Sequence, residues 1–579
     1  MAEYQNPQHE PGSERRLLLV FLVTFVLMLA VQPLVKKYLP TPPAPQQQSS
    51  QPVGTPPPPP SNAAPPAAAA AAPVVGAKQA SNETETVIEN DLYRITFTNR
   101  GAHVKSWILK KYDNETENGP LDLVNPAAAA QYGYPLSLWT YDQDLRTKLD
   151  SVLYVSNSEG KKSTPATITF EYADQDVAVR KTFSFDDTYV VKIETSATSK
   201  GNPVPALPAW PAGFGDQATP AFYAASLIEY QNDKGIERLA LKKISGGATI
   251  QGPFHWAGAT DQYFGAVFVP DDAASVAMVT LRNSLTVPRD AKSKETSNVD
   301  VLGAAVGNLH GPTSERAFVG PKELDVLKKV RVTGASGVAN DLTSLVDFGT
   351  FSIIAKPLFV WLRWTYYHLV SNWGWAILLQ TLIITIALMP LRVYQVHSMY
   401  KMQKIAPQMK AIQDKYKKYS MRDPRKQEMQ KEIYALQQKE GENPLAGCLP
   451  MLIQIPFLWA YYRMLATAID LRHAHFLWVH DLSAAEPFPF VLPILMVVSS
   501  LITQKMTPQA GMDPQQQRMM NVMMPLMMGF IFFRLAAGLN LYYAAVNLIN
   551  IAQQAVMNRT RQGREMHELM EKRARKKDK

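Results

Sequence analysis

Residues 539–558 read LNLYYAAVNLINIAQQAVMN, an uncharged run of the length a helix needs to cross bilayer hydrocarbon. Within it Tyr543, Asn547, Asn550 and Gln554 recur at i, i+4, i+7 and i+11, which places them on one face of a helix. Polar side chains at mid-membrane depth are costly unless they face protein or water. The spacing therefore predicts a transmembrane helix with a polar face turned inward.

Upstream, four more runs have the same character: 372–392, 445–467, 488–506 and 519–536. The first carries Thr381, Thr385 and Arg392 at i, i+4 and i+11, with Gln380 beside them. The second offers Gln454 with Tyr461 and Tyr462, and the third Ser499, Ser500, Thr503 and Gln504; in the last run Tyr542 flanks Tyr543. Hydrogen bonding between helices accounts for any one of these residues. Four polar stripes in five short helices point instead to a shared wet cavity. Its available cations are Arg392, also placed as an ordinary positive-inside arginine, and Arg534, near a helix end where it can snorkel to the interface.

A sixth run, 17–36, follows Arg15 and Arg16 and lacks a clear small-x-small cleavage site, which predicts an uncleaved anchor. Residues 37–81 are a Pro/Ala-rich tether, and 82–335 change to a period of two. Tyr93, Ile95 and Phe97 alternate with polar residues, as do Ile168, Phe170 and Tyr172, and the strand-like runs Phe183 to Ile193 and Tyr263 to Val269 follow. This predicts a large antiparallel β-sandwich. Trp107, Trp139, Trp210 and Trp256 fit packing positions in it better than sugar-stacking ones. Residues 340–370 mix aromatics with Lys356, Arg363 and His368, the pattern of an amphipathic interfacial helix.

Loop charge sets an orientation. Residues 392–442 carry twelve Lys/Arg against six Asp/Glu and 559–579 carry nine against four, so the 393–444 loop and the basic tail are expected in the cytoplasm, with 1–16 and 507–518. The acidic loop 468–487 and the β domain then face a periplasm, which implies a Gram-negative inner membrane. In the 393–444 loop, Met402, Ile405, Met409, Ile412, Tyr416 and Tyr419 are answered by Met429, Ile433 and Leu436 after Asp423-Pro424. This predicts an antiparallel helical hairpin that ends at Gly441, kinks at Pro407 and either merely connects two spans or docks a partner. The fold class is thus a multidomain membrane protein: a six-span α-helical bundle with a five-helix core, plus a periplasmic antiparallel β-sandwich.

Composition narrows function. The lone Cys448 excludes a disulfide scaffold, and the net charge of +9 favours anionic lipid or nucleic acid as a surface partner. No metal-ligand spacing, phosphate loop or nucleophile elbow occurs, so neither enzyme activity nor a cofactor is assigned. His473, His475 and His480 fit an interfacial loop better than a metal site. The rival classes are a small-solute transporter, which commonly has internal repeats not seen here, and an anchored periplasmic sugar-binding protein, which needs only one span.

Several strings resemble the YidC/Oxa/Alb insertase family. They are Asn443-Pro444-Leu445-Ala446-Gly447-Cys448-Leu449-Pro450 with Gln454 and Pro456, then Asn372-Trp373-Gly374, Leu471-Arg472-His473-Ala474, and Gly538-Leu539 before Leu541-Tyr542-Tyr543. The resemblance covers the C-terminal 240 residues in family order and implies a five-helix insertase core. It also implies a hydrophilic groove open to cytoplasm and lipid, with Thr381 and Tyr543 at positions that meet substrate. Nascent inner-membrane proteins are the implied clients, with the Sec translocon and, through the hairpin and basic tail, the ribosome as implied partners. One position departs from the family pattern: its groove arginine falls here on Thr385, five residues before Pro390-Leu391.

Overall fold

The computed structural model describes residues 77–568, apart from 116, 216–225, 240, 289–295, 334–338, 420–422, 441–448, 488, 507–518, 562 and 566–567. The 17–36 anchor, most of the linker, Asn443 to Cys448, Gly441, the 507–518 loop and most of the basic tail lie outside the described residues, as do the side chains of Pro450 and Gln454.

Alternating sequence becomes strand as expected. The strands are β1 (Glu85–Glu89), β2 (Tyr93–Thr98), β3 (His103–Asp113), β4 (Ala166–Ala173), β5 (Val177–Phe185), β6 (Val190–Ser199), β7 (Leu207–Trp210), β8 (Leu227–Asn232), β9 (Trp256–Thr260), β10 (Phe264–Pro270), β11 (Val276–Pro288), β12 (Thr296–Asn308) and β13 (Thr313–Pro321), with shorter strands between them. A long antiparallel sheet has the order β8-β9-β10-β13-β6-β5-β4, a second runs β11-β12-β7, and a third runs β3-β2-β1 with one parallel edge at Gly160–Ser163. Tyr93, Ile95, Phe97 and Ile168 are fully enclosed, as the period of two requires. The run Phe183 to Ile193 is two strands, since Asp186 turns the chain by accepting from the Thr188 amide at 2.8 Å. Trp107, Trp210 and Trp256 are buried completely and Trp139 nearly so, which makes all four packing residues.

The helical part holds α1 (Ser352–His368), α2 (Trp373–Ala387), α3 (Met389–Lys415), α4 (Arg425–Lys439), α5 (Leu449–Thr467), α6 (Val491–Met506), α7 (Met524–Phe532) and α8 (Ala537–Arg559). Helices α3 and α4 form the hairpin, with Ile405, Met409 and Ile433 buried between them. Pro407 sits inside a continuous α3. A bend of 54° falls at Leu388, just before Pro390, where α2 and α3 meet.

No single described helix is long and apolar enough to cross a membrane; α2 and α3 pass that test only as the bent pair. The reasons lie in particular residues. The 519–536 run is divided between a wide turn, Met519–Met523, and the nine-residue α7. Helix α8 has 23 residues, but its asparagines and glutamines lower its hydropathy. Outward faces are nonetheless strongly apolar: Val491, Ile494, Val498 and Ile502 on α6 are all exposed, as are Leu382, Ile383 and Ile386 on α2 and Leu526, Phe530 and Ile531 on α7. Exposed apolar surface on this scale is a contact surface for lipid or protein.

One hydrophobic cluster runs from the sheets into the helices, and charged links cross the same junction. Arg463, on α5, donates to the Asp347 carboxylate and carbonyl, both at 2.8 Å. Arg238 pairs with buried Glu229 at 2.9 Å and donates to the Ser344 carbonyl at 3.0 Å. Gln262 donates to the Ala466 carbonyl at 2.7 Å, and Arg472 to that of Asp113 at 2.6 Å.

Candidate functional site

Three of the four polar stripes occupy α2, α6 and α8, the fourth lying on α5, and α8 packs against both α2 and α6. Helix α2 starts where the Asn372 side chain accepts from the amides of Gly374 and Trp375, a normal N-cap. Gly374 is required there, because a Cβ would fall 2.0 Å from the Phe476 ring of the 468–487 loop.

The sequence-predicted residues divide into three groups. Gln380 and Thr381 are fully enclosed. Gln380 donates to the Leu358 carbonyl of α1 at 2.9 Å and accepts from the Tyr461 hydroxyl of α5 at 3.0 Å. Thr381 bonds back to the Ile377 carbonyl at 2.6 Å. Both are thus enclosed between helices, with their polar atoms bonded to neighbours.

A second group is half-buried: Thr385 on α2, Ser500 and Gln504 on α6, and Tyr543, Asn547 and Asn550 on α8. Asn547 reaches across to the Ser499 hydroxyl at 3.2 Å, while Tyr543 lies edge-on to Phe532. Its neighbour Tyr542 is buried and stacks on Tyr461 at 4.1 Å. At the far end of α8, Gln554 is buried beside Asn558, which accepts from Tyr400 of α3 at 3.1 Å.

The cations form the third group. Arg392 was expected on one continuous face with Thr381 and Thr385, but the bend at Leu388 puts it on α3 instead, half-buried and 3.4 Å from Gln395. The i, i+11 argument fails there because helical phase is lost at the bend. Arg534 is exposed and covers the Phe530 ring, in the manner of a snorkelling residue.

A model of the YidC periplasmic domain matches residues 85–361, and one of the 60Kd inner membrane protein family matches 364–565. The membrane protein insertase YidC of Geobacter sulfurreducens is 31% identical over 482 residues, covering 81% of this chain and 85% of that protein. The chain belongs to the YidC family of membrane protein insertases. The YidC of Wolinella succinogenes is 41% identical over 244 residues, 42% of each chain. An active YidC insertase crystal structure aligns over 84% of this chain and 95% of its own with 21% identity and a TM-score of 0.33. By the two family models, the large β domain is the family's periplasmic domain and the helical region matches its 60Kd inner membrane protein part.

Three further residues matter to this YidC-family core. Arg463 is a charge inside an apolar run, a signal the sequence carried openly. Asn540 is fully buried and donates to the Phe532 carbonyl at 3.0 Å and the Leu535 carbonyl at 3.3 Å, closing the turn between α7 and α8. Tyr461 belongs to the polar set read with Gln454 and Tyr462, but its pairing with Gln380 joins helices 81 residues apart and had no local signal.

Proposed function

We propose that the chain inserts inner-membrane proteins by sheltering polar parts of a client helix against the half-buried residues of α2, α6 and α8, with Thr385, Ser500, Gln504, Tyr543, Asn547 and Asn550 as the groove and Arg392 at its margin. The observation that carries this reading is two-sidedness: the helices that hold these polar groups expose large apolar side chains on their other faces. A client can then keep its apolar surface in lipid while its polar flank meets protein or water. Each charge so sheltered avoids roughly 2.5–3.5 kcal/mol of insertion cost.

On this reading the chain has six spans, both termini in the cytoplasm and the β domain in the periplasm, as loop charge directs. Nascent inner-membrane chains are the clients. The Sec translocon, the ribosome at the hairpin and basic tail, and anionic lipids are the surrounding partners. No catalytic group is needed, because the groove changes the energy of a path and forms no bond.

The test is site-specific photocrosslinking to a stalled nascent single-span protein in inverted vesicles, with probes at Thr385 and Tyr543. Leu548 serves as control: it is exposed on α8, five residues from Tyr543 and so about 140° around the helix. Strong adducts at the first two and few at the third are expected. Equal labelling at all three, or none from a folded protein, overturns the groove.

A further inference from the structure

Between α1, the short helix Leu324–Leu327 and the segment leading to α1 lies a cavity of about 440 Å³. That volume falls in the roughly 300–1,000 Å³ range of small-molecule sites. Its lining is amphipathic: Lys328, Lys356 and Arg363 bring positive charge, while Phe348, Val360 and Tyr367 bring apolar surface. Arg363 is already matched, by Asp325 and by Asp470 at 3.4 Å. Lys328 and Lys356 are exposed and form no ion pair among the described residues.

The surface around the cavity has a definite character. Ile353, Val360, Trp364 and Tyr367 lie at i, i+7, i+11 and i+14, one face of α1, and are 83%, 61%, 49% and 61% exposed. A helix with such a face that also carries Lys356 and Arg363 lies in the headgroup plane of a bilayer. An ammonium pair at the edge of an apolar strip matches a phosphate that carries acyl chains. A free anion would use only the first feature.

We infer that this cavity binds the headgroup of an anionic diacyl phospholipid, with Lys328 and Lys356 on the phosphate and the acyl chains along Val360, Trp364 and Tyr367. The inference rests on the proposed function only in placing α1 at a membrane surface. A bound lipid would bridge α1 to the end of the β domain without further protein contacts.

The experiment uses the full chain in phosphatidylcholine vesicles doped with phosphatidylglycerol or phosphatidylcholine bearing a photoactivatable acyl chain. Adducts are mapped by mass spectrometry on the peptide 352–368. Preferential labelling by phosphatidylglycerol is expected, reduced roughly fivefold for each lysine lost in K328Q/K356Q and unchanged in K417Q/K418Q, which alters exposed hairpin lysines. Equal labelling by the two lipids, or no effect of K328Q/K356Q, overturns the site. Suppression by millimolar inorganic phosphate overturns the lipid in favour of a bare phosphate site. Client insertion is measured in the same vesicles: insertion without lipid preference refutes this inference alone, whereas a folded chain that inserts nothing refutes the functional reading.

Discussion

Replacing Gln380 with leucine tests whether this fully buried polar residue packs or meets clients. Its two polar ends serve different neighbours, the Leu358 carbonyl at 2.9 Å and the Tyr461 hydroxyl at 3.0 Å. The carbonyl lies within α1, where the amide four residues on is its helical donor, so it keeps a partner when the glutamine is gone. The hydroxyl has less freedom: Tyr461 is fully buried and stacks on Tyr542 at 4.1 Å, so it cannot swing to solvent. An orphaned buried hydroxyl costs about 1–3 kcal/mol, and interhelical hydrogen bonds in membranes average about 0.6 with a maximum near 1.7 kcal/mol. Q380L is therefore expected to destabilise the helical region by about 2 kcal/mol and Y461F by about 1. The double variant is expected to cost about 1 kcal/mol less than the sum, because removing both partners leaves no orphan. Unfolding of the full chain in a titration of denaturing detergent, followed by circular dichroism, gives the cycle. Additive single effects would refute the bond. Insertion by Q380L below its unfolding range is expected within about twofold of the parent, since an enclosed residue meets no client; a larger loss at unchanged stability would refute the packing role.

D347N removes the charge that Arg463 and Arg238 share at the junction, and is expected to cost about 1–3 kcal/mol, seen as faster amide exchange at 344–351 and 463–467 with the distant strands unaffected. Asp470, in the 468–487 loop, is pushed up to about 6 by burial, against the pull of Arg363. Because the folded value exceeds the ordinary carboxylate value, the protonated form is favoured on folding, and its contribution is full below about 4 and lost as pH rises through 6. Protection of residues 469–471 is expected to fall over that window, and D470N to flatten the profile; an unchanged slope in D470N would sink the assignment. R392E is expected to reduce insertion of a client with an acidic translocated segment by roughly tenfold or more while a client with a neutral segment changes little, and equal effects on both would remove Arg392 from the groove margin.

Periodicity was enough for the parts of the chain that bury one face. Tyr93, Ile95 and Phe97, and the hairpin set Ile405, Met409 and Ile433, took the positions their spacing assigns, because a single slip would expose them. Helix phase across a bend is different in kind. Nothing local separates Thr385 from Arg392 except Pro390, and proline disrupts the backbone bonds before it, so the two residues ended on different helices. Pro407, by contrast, does not end its helix: α3 continues through it, with the hairpin core packed on either side. Nor does a stripe state which of its members are spent on neighbours. Gln380 and Asn547 were legible as polar; that Tyr461 and Ser499 would stand opposite them depended on how distant helices pack.

The starts of α2 and α8 are both fastened to the 468–487 loop. At the start of α8, the amides of Ala537 and Gly538 donate to the Ala484 and Leu482 carbonyls at 2.7 and 2.8 Å, so a loop supplies the partners that a helix N-terminus lacks. At the start of α2, Asn372 caps its own first turn and donates to the His475 carbonyl at 3.0 Å, while Phe476 sits against Gly374. Nearby, Glu486 accepts from Trp478 at 2.8 Å and from the Leu492 amide at 2.7 Å, which ties the same loop to α6. The opposite ends are joined otherwise: α2 breaks into α3, and α8 meets α3 through the Tyr400, Gln554 and Asn558 side chains. In the proposed orientation the pinned ends face the periplasm and the bent ends the cytoplasm. In the proposed mechanism the groove is closed toward the periplasm, and the loop contacts at the starts of α2, α6 and α8 are the ones that would close it. On that reading a client made in the cytoplasm would enter past the bent ends, with the 468–487 loop standing between it and the periplasm.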